Sequence, residues 1–167
     1  MVEKDNEAKG VLIDLDLAIL VNGDVPLQHR PTIAGTLPFL SVDYLSDPPP
    51  RRHLYRHDLE SFLFVLGWIL ARFNEEGVEI NPDELDAWYT QPRTHMRNGK
   101  YGFFSWPFGS PASRFPSLQK SWVRELGQLF QHGYGIWHDN LDVKTFDEET
   151  LGGHVTYDSF LKILLGQ

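Results

Sequence analysis

Between His57 and Phe73 the chain offers a helix with scarcely a polar face. Leu59, Phe62, Leu63, Phe64, Val65, Leu66, Trp68, Ile69 and Leu70 fall on every side of it. A helix apolar all round is stable only when buried on most sides. In a chain of 167 residues it has to be the central post against which the other pieces lean. Asp58 stands at its start, where a carboxylate meets the positive end of the dipole and takes up free backbone N–H groups, and Glu60 adds to that charge. The apolar run from Phe62 to Leu70 is too short to cross a bilayer. The opening MVEKDNEAKG lacks the apolar stretch of a secretory signal. The expectation is an intracellular protein, cytoplasmic or nuclear, with no membrane partner.

The rest of the sequence supplies what such a post needs. At 167 residues, one domain is expected, and 11 Phe, 6 Tyr and 5 Trp give it large side chains to bury. The absence of cysteine excludes disulfides, thiolate zinc sites, iron–sulfur clusters and cysteine nucleophiles. A net charge of −8, with no basic run longer than Arg51-Arg52, argues against nucleic acid as a partner. A short strand is expected over residues 10–14, delivering Asp14 to its end. Residues 24–50 carry Pro26, Pro31, Pro38 and the triplet Pro48-Pro49-Pro50, which forbid long helices and mark a functional loop. Pro82-Asp83-Glu84 opens a short helix with Leu85, Trp88 and Tyr89. Residues 99–116 read as an irregular aromatic segment. Residues 117–130 read as an amphipathic helix ended by Gly133, and residues 156–165 as a last helix with Tyr157, Phe160, Leu161 and Leu164 on one side.

Three stretches carry chemistry when taken in order. The first is Leu12-Ile13-Asp14-Leu15-Asp16-Leu17-Ala18. The second is Gly35-Thr36-Leu37-Pro38-Phe39-Leu40-Ser41-Val42-Asp43, and the third is His57-Asp58-Leu59-Glu60-Ser61 at the head of the buried helix. At these separations the sequence resembles the protein kinases, most closely the fungal-type family, over about residues 10–73. The resemblance implies a mainly α fold: the large, C-terminal lobe of a kinase with a short N-terminal β element and no small lobe, residues 1–167 being a partial kinase domain. It implies that Asp14 sits at the magnesium position of the Asp-Phe-Gly segment, holding Mg²⁺ and ATP. It places Gly35 and Thr36 in the loop that positions a protein substrate, and Ser41-Val42-Asp43 where the family has Ala-Pro-Glu. Asp58 becomes the acidic residue that braces the catalytic loop, so Asp43 and Asp58 are structural. Thr32, Thr36 and Tyr44 lie where kinase activation loops are modified.

The departures bear on activity. Leu15 and Asp16 replace the Phe and Gly of the magnesium segment. The 167 residues contain no glycine-rich flap, no strand lysine and no catalytic-loop Asp with its Asn, and 13 residues precede Asp14. His29-Arg30 runs into Pro31, and Arg56-His57-Asp58 runs into a helix with Leu63 at the Asn position. No catalytic residue is therefore assigned. The chain reads as a kinase fragment, inactive by itself, or as a pseudokinase-like module that binds another protein. An unrelated α domain matching by accident is the third reading.

Rival chemistry is thinner. Among seven histidines only His53 and His57 are four apart, and His53 follows two arginines in a loop. His132 and His138 flank Gly133-Tyr134-Gly135 and read as a helix end and a turn. Ser105, Ser110, Ser113 and Ser117 lack the glycines of a nucleophile elbow. The aromatic run 101–108 reads as core, and the acids Asp83, Glu84, Asp86, Asp147, Glu148 and Glu149 as solvated surface.

Overall fold

The computed structural model describes residues 2–4, 7–9, 35–73, 76–79, 83–105 and 122–166. The chain divides into two compact units, Met1–Arg30 and Pro31–Gln167. In the first unit, strand β1 (Val2–Lys4) pairs antiparallel with β2 (Glu7–Lys9), with Lys4 opposite Glu7 and Val2 opposite Lys9. The strand expected over 10–14, and Asp14 with it, lies outside the described residues, as does Thr32.

The second unit is mainly α. Two 3-10 turns, Leu37–Phe39 and Val42–Leu45, lead into α1 (Tyr55–Arg72). Four helices follow: α2 (Asp83–Thr90), α3 (Arg93–Ser105), α4 (Arg124–Asp139) and α5 (Tyr157–Leu165). Helix α1 is the post. Its buried Leu59, Leu63, Phe64 and Leu70 form one core with Trp88, Phe103, Phe104, Leu126, Phe130 and Phe160. Phe64 stacks on Phe104 with centroids 5.7 Å apart, and Phe104 stacks in turn on Phe130 at 5.7 Å. These rings tie α1 to α3 and α3 to α4. Burial is not complete around the post: Phe62 and Ile69 are exposed among the described residues.

Two boundaries differ from the sequence reading. Residues 99–105 are the last turns of α3 rather than irregular chain, while 106–116 lie outside the described residues. Gly99 and Gly102 lower helix propensity there. Met96, Lys100, Phe103 and Phe104, however, fall on one stripe and are buried, so packing overrides propensity. Helix α4 is described from Arg124, residues 117–121 lying outside the described residues, and it runs through Gly133 to Asp139, carrying His132 and His138 inside it. Gly133 is a close-approach position: a Cβ there would stand 2.9 Å from Leu151 Cδ1 and 3.0 Å from Val155 Cγ2. Helix α5 opens on Thr156, whose Oγ1 accepts the Ser159 N–H at 3.0 Å, and closes on Gly166 at φ 67°. Tyr157 turns to solvent while Phe160 is buried.

Candidate functional site

Residues 35–46 form the loop ahead of α1, and the fold holds them by a buried polar network. Gly35 starts the loop at φ 135°, where a Cβ would meet Leu40 Cδ2 at 2.8 Å. Only glycine takes that backbone without strain. Thr36 is exposed, and its carbonyl accepts the Phe39 N–H at 2.8 Å in the first turn. Pro38 and Leu40 point inward. The second turn carries Asp43 into the protein.

Asp43 Oδ2 accepts from Arg56 Nη2 at 2.5 Å and from His57 Nε2 at 3.2 Å. Arg56 and His57 sit in the first turn of α1, each 2% exposed. Arg56 also donates through Nη1 to the Tyr134 hydroxyl at 3.0 Å and through Nε to the Glu148 carbonyl at 2.7 Å. The Tyr134 hydroxyl donates to Glu60 Oε2 at 2.7 Å, and Glu60 Oε1 accepts the Val42 N–H at 2.7 Å. One polar chain thus joins the loop, the head of α1, α4 and the turn before α5. Lys100, wholly buried on α3, donates to the Leu40 carbonyl and, at 3.4 Å, to that of Leu37. Its Nζ lies 4.2 Å from the Phe64 ring centroid and 5.5 Å from that of Trp88.

Charge follows from these contacts. Burial alone raises the Asp43 carboxyl, but the bond from His57 and the charge and bond of Arg56 outweigh it and hold it below its ordinary value. Burial works against the Arg56 charge as well, and Tyr134, Asp43 and Glu60 more than compensate. Burial pushes His57 down, so it stays neutral. Its Nδ1 accepts the Leu54 N–H at 3.2 Å, which leaves the proton on Nε2 for Asp43. Burial and the neighbouring Asp43 push Glu60 up to about 7 against the pull of the Val42 N–H, Tyr134 and Arg56. Burial pushes Lys100 down to about 7 against the attraction of Glu60.

Asp58 lies at the surface end of the first turn of α1. Helix α1 starts at Tyr55, with Leu54 before it and no side-chain cap. Asp58 is exposed and accepts from His53 Nε2 at 2.9 Å. His53 Nδ1 accepts in turn from the Tyr44 hydroxyl at 2.9 Å. Position explains the difference: Asp58 lies on the outer face of the first turn, while Arg56 and Glu60 lie on the stripe that continues as Leu63, Gly67 and Leu70. Burial with the carboxylates Asp58 and Asp43 nearby raises the Tyr44 phenol to about 12. Asp43 is a buried anchor, and Gly35 and Thr36 occupy the loop it anchors.

The residues that build the site beyond Asp43 are Arg56, Glu60, Lys100 and Tyr134. The signal for three of them is in the chain. Arg56 and Glu60 share the apolar stripe of α1, and Lys100 shares that of α3 with Met96, Phe103 and Phe104. A charge on such a stripe is buried with a partner or is misplaced.

Among the described residues no three His, Asp or Glu side chains are grouped to hold a metal ion. Asp43 and Glu60 are already occupied by Arg56, His57, Tyr134 and Val42. No helix among the described residues is long and apolar enough to cross a membrane.

Residues 1–70 match the family model described as fungal protein kinase, a stretch that holds the loop, Asp43 and the buried head of α1. No curated protein and no solved structure matches the chain.

Proposed function

We propose that the chain is part of a fungal-type protein kinase domain, contributing the helical lobe that holds the substrate-positioning loop. The observation that carries this reading is the family match over residues 1–70. It supports a fungal protein kinase family, whose members use ATP and Mg²⁺ and act on proteins. In this reading Asp14 is the metal ligand, Gly35 and Thr36 lie in the substrate loop, and the Asp43–Arg56–His57 anchor fixes that loop to the post. Positioning of this kind is most of what a phosphoryl-transfer site contributes, because the reaction needs alignment and charge neutralisation more than covalent help from the protein.

The 167 residues carry no catalytic-loop Asp and Asn, no strand lysine and no glycine-rich flap. A second reading for the chain by itself is a non-catalytic, pseudokinase-like module that binds a protein partner in the cytoplasm or nucleus. Calorimetry of the whole chain with ATP and Mg²⁺ separates the two. Mg²⁺-dependent binding that disappears in Asp14→Asn supports the nucleotide-site reading. Binding that survives the substitution removes Asp14 from it. Absence of binding leaves the interaction module, and phosphate transfer to a generic protein substrate overturns the non-catalytic reading.

A further inference from the structure

Histidine rings meet in two places among the described residues, and the two pairs differ in what their nitrogens are free to do. His53 and His57 stand with ring centroids 5.5 Å apart and planes at 80°. All four nitrogens there are engaged: those of His53 by the Tyr44 hydroxyl and Asp58, those of His57 by the Leu54 N–H and Asp43. The second pair is His132 of α4 and His154 of the turn before α5, closer at 4.8 Å and nearly perpendicular at 88°. Among the described residues no hydrogen bond or ion pair engages a ring nitrogen of either one. His132 is exposed and His154 half-buried, so the pair is open to solvent.

The fold builds this meeting. Gly133 lets α4 approach the turn so closely that a Cβ on it would stand 2.9 Å from Leu151 Cδ1 and 3.0 Å from Val155 Cγ2. His132 adjoins that glycine and His154 adjoins Val155, so the close approach carries both rings to one place. The backbone on the turn side is held as well. Ser159 Oγ donates to the His154 carbonyl at 2.9 Å within the capping box of α5, and the Val155 N–H donates to the Thr150 carbonyl at 2.8 Å.

Two touching imidazoles with unused nitrogens are a donor set for a divalent ion that prefers nitrogen to oxygen. Zn²⁺ takes histidine nitrogens at about 2.0–2.1 Å, so two rings sharing it at an angle of about 90–110° have centroids about 4.5–5.2 Å apart. The observed 4.8 Å falls within that range. Aiming one nitrogen of each ring at a common point takes rotation about χ2, a soft torsion in histidine. We propose that His132 and His154 together bind one divalent ion of the Zn²⁺ class, which ties α4 to the turn before α5. No third His, Asp or Glu among the described residues joins them, so water fills the remaining positions. Structural zinc sites are closed by four protein ligands, and a site with two is exchangeable. Mg²⁺ is the wrong ion for it, because Mg²⁺ demands oxygen ligands.

The test is calorimetric titration of the whole chain with zinc chloride, paired with NMR of the histidine ring protons. The expected result is a saturable site at which the ring signals of His132 and His154 shift together while those of His53 and His57 stay in place. His132→Gln and His154→Gln each weaken binding at least about ten-fold, since the second imidazole acts at the high effective concentration set by the first. His95→Gln, at an exposed position on α3, leaves binding unchanged, and magnesium chloride moves neither ring. If the His154 variant does not fold, the exposed His132 variant and the wild-type spectra decide. The proposal is overturned if zinc does not saturate at millimolar concentration, or if binding survives His132→Gln undiminished. It is overturned equally if zinc leaves both rings unmoved or shifts those of His53 and His57 instead, and the pair is then an edge-to-face packing contact alone. No part of this readout involves nucleotide, Asp14 or phosphate transfer, so its failure leaves the kinase reading standing, and the reverse.

Discussion

Replacing Asp43 with Ala takes away the carboxylate that Arg56 and His57 both donate to, and leaves a guanidinium that is 2% exposed. Truncating one member of a buried, hydrogen-bonded charge pair costs about 3–5 kcal/mol, since the remaining charge keeps its desolvation penalty. Arg56 still donates to Tyr134 and to the Glu148 carbonyl, and Tyr134 relays it to Glu60. That partial compensation puts the loss at the lower end, about 3 kcal/mol. With a urea slope of about 2 kcal/mol per molar, the unfolding midpoint falls by about 1.5 M. Urea titration followed by tryptophan fluorescence reads this, with Trp68, Trp88 and Trp137 in the same unit as the network. The pH dependence has a definite sign. The folded value of Asp43 lies below its ordinary 3.8, so its contribution is complete above that pH and is lost as pH falls through the folded value. The gap between wild type and variant is therefore constant near neutrality and closes only in acid. A loss under about 1 kcal/mol, the size of an exposed pair, refutes the claim that this network anchors the loop.

The remaining substitutions probe neighbouring links by the same urea titration. Tyr134→Phe keeps the ring stacked on Phe104 at 5.9 Å but removes the hydroxyl between Arg56 and Glu60. It should cost about 1–3 kcal/mol by leaving both partners short of a bond. Asp58→Ala breaks an exposed pair with His53 and should cost less than about 1 kcal/mol, and less still in high salt. A loss at Asp58 equal to that at Asp43 would refute the view that it makes only a surface pair.

The separation between legible and illegible follows the range of the interactions. Local rules were enough for Thr156 at the start of α5, for the acidic entry to α2 and for the buried character of α1, because caps, first-turn charge and apolar spacing act within a few residues. The same rules misjudged residues 99–105 and Gly133. There the deciding contacts come from residues far along the chain, such as Leu151 and Val155 against Gly133.

The amino-acid order alone determined that a greasy helix near residue 60 organises a mainly α unit. It left Arg56, Glu60 and Lys100 without assigned partners. Only the tertiary structure decided what those charges do. It closed a polar chain between positions as distant as Asp43, Arg56, Tyr134 and Glu148, and it set Asp58 on the outer face beside His53. The reason is physical: a buried charge is tolerable only beside a partner, and which partner arrives there depends on how the helices pack, information that no local spacing contains.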